Sequence, residues 1–147
     1  MKKILFLILL ASHIFAISPY NLEGIKEVTL KISDKSKIIS PKLKEKIIRD
    51  LQKELKNNTI NVKNGNPTSL IIKIESVQIE KRLVLNISLF VNETVSPKRD
   101  TTLQGIGLTY FQNDMFEVEE ELEKTLYDSI FKLLLQDFLT QHKEENL

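Results

Sequence analysis

The chain has no cysteine and no tryptophan, and only two histidines among its 147 residues. Without cysteine there is no disulfide framework and no thiolate metal site. Nor is there a residue to carry the lipid of a bacterial lipoprotein, so lipid anchoring is not expected. With four glycines and four prolines, the chain shows no internal repeat and no low-complexity segment. The net charge is only +1, and Lys2 and Lys3 account for more than this excess. No global charge draws in a polyanion, and no nucleic acid partner is expected. The fold must stand on its apolar core.

The N-terminus reads Met1-Lys2-Lys3, then an apolar stretch from Ile4 to Ala11, then Ser12-His13-Ile14-Phe15-Ala16. A short basic segment, an apolar run and a small residue at a cleavage point make a secretory signal peptide. The run is shorter than the roughly 20 apolar residues that span a bilayer. Cleavage is expected after Ala16, although Ile14 is bulky for its place before the cut. Residues 1–16 are thus expected to be a signal peptide and 17–147 a single periplasmic α+β domain. A domain of that size buries roughly two-thirds of its unfolded surface, enough for one core.

Val28, Leu30 and Ile32 alternate with polar residues, the mark of a strand with one buried face. Ser40-Pro41 opens a helix, since serine caps free amides and proline suits the first helical position. Leu43, Ile47, Leu51 and Leu55 form its apolar stripe, and Asn57-Asn58 ends it. A brief strand over Thr59 to Val62 and a turn at Asn64-Gly65-Asn66-Pro67 follow. Two alternating runs, Ser69 to Ile79 and Leu83 to Val91, predict an antiparallel hairpin turning at Glu80-Lys81. A further strand is expected from about Thr101 to Phe111, with Ile106, Leu108 and Tyr110 on one face and Gly105 and Gly107 marking a bulge. Asp114 and Glu117 read as a capping box opening a long helix to Gln141. From His142 the tail reads as solvated and fraying. The order is β-α-β-β-β-α. The fold class predicted is α+β, a two-layer sandwich whose mostly antiparallel sheet is covered on one face by two helices.

Catalytic chemistry has little to work with. Beyond the leader the only histidine is His142, with no serine or carboxylate at a suggestive spacing. A nucleophilic triad needs a histidine held firmly in a supported site. A metal site would rest on carboxylates alone, and Glu117, Glu119, Glu120, Glu121 and Glu123 read as acids placed at the positive end of a helix. Gly105-Ile106-Gly107 lacks the third glycine and the strand-to-helix context of a phosphate loop. No enzyme activity, no cofactor and no metal is expected.

Two features suggest contact with other molecules. Charge is segregated: Lys26 to Lys56 holds ten basic against five acidic residues, and Asn113 to Leu147 three against ten. Within the basic half, Lys42, Lys46, Arg49, Lys53 and Lys56 fall on one face of the first helix, a stripe suited to an anionic surface or acidic partner. The last helix is apolar over more than one stripe. Its excess width nominates Tyr127, Phe131, Leu135 and Leu139 as a partner-binding face.

No motif identifies a family. The element order and the long last helix resemble, in layout alone, small periplasmic accessory proteins of envelope transport, such as the lipoprotein partner in lipopolysaccharide insertion and the auxiliary lipoproteins of lipid transporters. This chain departs from them in lacking the lipid-bearing cysteine. The resemblance implies a non-enzymatic accessory protein that docks an envelope protein or a second copy of itself through its last helix. The alternative is a carrier of lipid or lipopolysaccharide whose basic stripe meets anionic lipid.

Overall fold

A computed structural model describes residues 21–118 and 121–147; the expected signal peptide, 1–16, lies outside the described residues. The elements are β1 (Glu27–Asp34), α1 (Pro41–Asn57), β2 (Asn61–Val62), β3 (Ser69–Ile79), β4 (Arg82–Val95) and β5 (Gly105–Glu117). A C-terminal helix follows as α2 (Leu122–Asp128), a wider π-helical turn (Ser129–Leu134) and α3 (Leu135–Glu145). The fold is α+β, as expected. The five strands lie in the order β2-β1-β3-β4-β5. β1 runs parallel to β2 and β3, whereas β3, β4 and β5 form an antiparallel meander.

Local chemistry sets each junction. The Asp34 carboxylate accepts the Ile38 and Ile39 amides at 3.3 and 3.1 Å, shaping the turn into α1. Ser40 Oγ then accepts the Leu43 amide at 3.2 Å, with Pro41 in the first turn. The chain crosses β1 between β2 and β3, and Thr29 pins the crossing by donating its hydroxyl to Lys63 O and Asn66 O at 3.0 and 2.9 Å.

Strand alternation assigns the sheet two faces. Leu70, Ile72 and Ile74 of β3 and Leu85, Ile87, Leu89 and Val91 of β4 are fully buried. They share one core with Leu43, Ile47, Leu51 and Leu55 of α1 and with Leu126, Ile130, Leu134 and Phe138 of the C-terminal helix. The last four recur every four residues. On an ideal α-helix each such step drifts by about 40°. The i→i+5 turn at Ser129–Leu134 holds the repeat over the sheet.

Three expectations are corrected. First, Asp114 and Glu117 cap no helix: β5 continues to Glu117, with Asp114 opposite Ile87 and Phe116 opposite Leu85. Glu117 pairs with Arg82 at 3.3 Å across the hairpin. The helix begins at Leu122, preceded by Glu121 in a left-handed conformation and without a side-chain cap. Second, Tyr110 does not share a face with Ile106 and Leu108. The register shifts between Val91 and Asn92, leaving Thr109 as an extra residue, and a bulge of this kind reverses which face the next side chains take. Tyr110 is buried under the helices, while Ile106 and Leu108 are exposed on the opposite face.

Third, His142 is no solvated tail residue. It continues the four-residue repeat, is 5% exposed, and lies against Phe138. Its Nε2 is 2.8 Å from Ile25 O. The last helical turn grips the segment before β1: Glu145 Oε2 accepts the Leu22 amide at 2.6 Å, Asn146 Oδ1 accepts the Gly24 amide at 2.7 Å, and Asn146 Nδ2 donates to Leu22 O at 3.0 Å. The first and last described segments are latched together.

Deleting residues 142–147 is therefore expected to cost about 2–4 kcal/mol, as several hydrogen bonds and a buried ring are lost. Hydrogen exchange should show the Leu22 and Gly24 amides deprotected; a tail irrelevant to the fold would leave both unchanged. At the bulge, a Cβ on Gly107 would sit 2.6 Å from Val95 Cγ2. Gly107→Ala should destabilise by about 1–2 kcal/mol. Denaturant titration of Gly107→Ala/Val95→Ala should recover most of that loss.

Candidate functional site

The two nominated faces meet each other. Tyr127 and Phe131 are half-buried and stack at a centroid distance of 4.3 Å. The Tyr127 hydroxyl donates to Asp50 Oδ2 at 2.8 Å, and Lys46 Nζ lies 3.5 Å from the centre of the Tyr127 ring. Lys46 and Arg49 approach the Asp50 carboxylate at 3.6 and 3.8 Å. Burial, and then the Asp50 hydrogen bond, raise the Tyr127 phenol above its ordinary pKa. This cluster seals the seam between α1 and the C-terminal helix. Part of the basic stripe and the aromatic half of the partner-binding face are engaged within the chain.

The rest of each set divides. Leu135 and Leu139 belong to the core, at 2% and 7% exposure, while Leu133 stays exposed at 43%, so most of the excess apolar width of the helix is absorbed in folding. Lys42, Lys53 and Lys56 are exposed and make no ion pair among the described residues. Lys42, Lys46 and Arg49 line a cleft of about 300 Å³ with Ser40, Glu45 and Glu123. The two carboxylates offset much of its positive charge, and Ser40 Oγ donates to Glu123 Oε1 at 3.2 Å. A cleft of about 510 Å³ between the ends of α1 and α3 is lined mostly by polar groups, among them Glu54, Asn58, Lys143 and Glu144.

The apolar surface lies elsewhere, on the sheet face turned away from the core. The register places Ile71, Phe90 and Phe111 in one row across β3, β4 and β5. Leu108 and Ile106 extend this corner along β5. Ile106 is 82% exposed, Leu108 59% and Phe111 53%. Val77, Ile79 and Met115 are exposed farther along the same face. Between them runs a polar band: Lys73 and Glu75 form an ion pair at 2.7 Å, flanked by Ser88, Asn86 and Asn113. Among the described residues, no helix covers this face.

Reasoning from sequence missed this surface because it put Ile106 and Leu108 on one face with Tyr110 and ended the strand at Phe111, giving Met115 to a helix opened at Asp114. The available signal was Tyr-Phe-Gln-Asn-Asp-Met-Phe over 110–116, a strand with apolar residues on both faces. His142 was legible as the next member of the repeat Leu126, Ile130, Leu134, Phe138. Among the described residues no three His, Asp or Glu side chains gather as a metal site, and no helix is long and apolar enough to cross a membrane.

Among the described residues two buried side-chain polar atoms lack a partner, Tyr110 Oη and Ser129 Oγ. The Tyr110 ring meets Phe138 edge-on at 5.4 Å. Burial, helped by the negative charge of Asp137, pushes its pKa up to about 12. The unfolded phenol ionises near 10. The stability held by the neutral buried form is thus complete below pH 10 and is lost between pH 10 and 12. Tyr110→Phe should remove an unpaired hydroxyl at no packing cost, leaving stability at pH 7 unchanged or raised by up to about 1 kcal/mol. Thermal melts from pH 7 to 11.5 should show a flatter alkaline decline for the variant than for the parent. No protein-family description matches the chain, and no curated protein matches its sequence.

Proposed function

We propose that this chain is a non-enzymatic accessory protein of a bacterial cell-envelope assembly, exported by its N-terminal segment, that docks a protein partner. Its docking surface is the uncovered sheet corner formed by Ile71, Phe90, Leu108, Phe111 and Ile106 rather than the last helix. The observation that carries this reading is the exposure of Ile106, Leu108 and Phe111 side by side on a strand. Exposed apolar clusters of this kind mark contact sites, and a large aromatic such as Phe111 supplies the usual anchor. Two features agree with it. The basic and apolar order of residues 1–16 suits export. His142, the only histidine beyond the leader, is engaged with Ile25.

In-cell cross-linking followed by mass spectrometry tests the proposal. One envelope protein should dominate the captured material from the parent chain. Leu108→Asp should lower its recovery at least tenfold, while Lys53→Glu/Lys56→Glu leaves it unchanged. Loss with the helix variant but not with Leu108→Asp would return the site to α1. Lipid in an organic extract, with no dominant protein, would favour the carrier.

A further inference from the structure

β5 is an edge strand of 13 residues. Exposed edges are blunted by lysine, proline, shortness, bulges or inward-pointing charges; β5 has no lysine, arginine or proline, its bulge at Thr109 lies before the regular stretch 110–116, and its only charges are Asp114, on the core-side face, and Glu117. The Val118 amide donates to Leu83 O at 2.8 Å, inward to β4. Antiparallel alternation then turns the backbone groups of Phe116, Asp114 and Gln112 to β4, and those of Glu117, Met115, Asn113 and Phe111 to the open edge.

We propose that this edge pairs with the β5 edge of a second copy of the chain, antiparallel across a two-fold axis at Asn113, joining two five-stranded sheets into one. The sequence of the edge is self-complementary in that register. Asn113 faces the second copy's Asn113, amide to amide. Phe111 faces the second copy's Met115, and Met115 its Phe111, so apolar side chains meet twice on the uncovered face. On the core-side face Gln112 meets the second copy's Asp114, and its amide can donate to that carboxylate. Tyr110 meets Phe116.

Neighbouring registers are poorer. A shift of two in one direction sets Asp114 against Asp114, a like-charge pair that opposes association. The opposite shift sets Asp114 against Tyr110, whose hydroxyl is buried within its own domain, and Phe111 against Asn113, leaving the aromatic without an apolar partner. Charge and apolar matching thus select one alignment. Paired residues run from Tyr110 to Phe116, leaving Ile106 and Leu108 outside the seam, while Phe111 is shared with the docking corner. Leu108→Asp therefore reads the corner alone and Met115→Lys the seam alone, so the failure of one is distinguishable from the failure of the other.

The absence of native cysteine makes the test clean. Asn113→Cys, expressed from the full reading frame and mildly oxidised, should form a disulfide-linked dimer as the main species. Asn86→Cys, one strand inboard on the same face, should stay monomeric. Sedimentation of the parent should show a dimer, and Met115→Lys, with unchanged circular dichroism, should raise its dissociation constant at least tenfold. A parent that sediments as a monomer at about 100 µM overturns the proposal. So does a dimer in which Asn113→Cys links no faster than Asn86→Cys, or one that Phe111→Cys links with itself instead.

Discussion

The four-residue repeat Leu126, Ile130, Leu134, Phe138, His142 is the constraint on which the rest of the molecule turns. Five positions at this spacing cannot stay over a sheet on an unbroken α-helix, because the stripe would rotate away within three turns. The π turn at Ser129–Leu134 resolves the mismatch. The repeat can then run its full length, which carries His142 inward to Ile25 and brings Glu145 and Asn146 against Leu22 and Gly24. A helix able to cover the core along its whole length also latches the segment before β1. It retains little apolar surface for anything else.

A second, smaller irregularity decides what is left over. Thr109, the extra residue in β5, sends Tyr110 to the core and puts Leu108 and Ile106 on the uncovered face. Gly107 allows the strands to approach there, since Val95 occupies the space a side chain would need. The bulge therefore separates β5 into a part that packs and a part that presents. The buried hydroxyl of Tyr110 is the local cost of that arrangement, because the ring is well packed against Phe138 but its oxygen meets no donor or acceptor.

Much of the fold was legible because it is locally encoded. Ser40-Pro41 and the stripe from Leu43 to Leu55 specify α1 without reference to anything distant. The alternation of β3 and β4 follows from one buried face. The boundary between β5 and the C-terminal helix was not legible, since Asp114 and Glu117 mimic a cap. Only the pairing of Asp114 with Ile87 and of Phe116 with Leu85 decides it. The basic stripe of α1 was legible as a pattern, but its partial neutralisation was not. Asp50 lies in the same helix, yet Tyr127 arrives from 77 residues away. The same holds for Leu135 and Leu139: their apolar character is in the sequence, but whether it is spent on a core or on a partner depends on where the π turn points them.

The uncovered face also constrains how anything could sit on it. A partner laid across the whole face would bury the Lys73–Glu75 ion pair and the amides of Asn86 and Asn113. Taking a charge pair out of water costs more than its attraction returns unless new hydrogen bonds replace the lost solvent. Contact at the corner formed by Ile71, Phe90, Leu108 and Phe111 carries less of that cost, since the polar neighbours of Leu108 and Ile106 in the register, Asn92 and Thr94, are uncharged. Strand pairing along β5 likewise leaves the Lys73–Glu75 pair wet, because those residues lie two strands inboard. The polar band thus acts as a divider. It separates the corner from Val77 and Ile79 farther along the face and opposes any single surface that would span both.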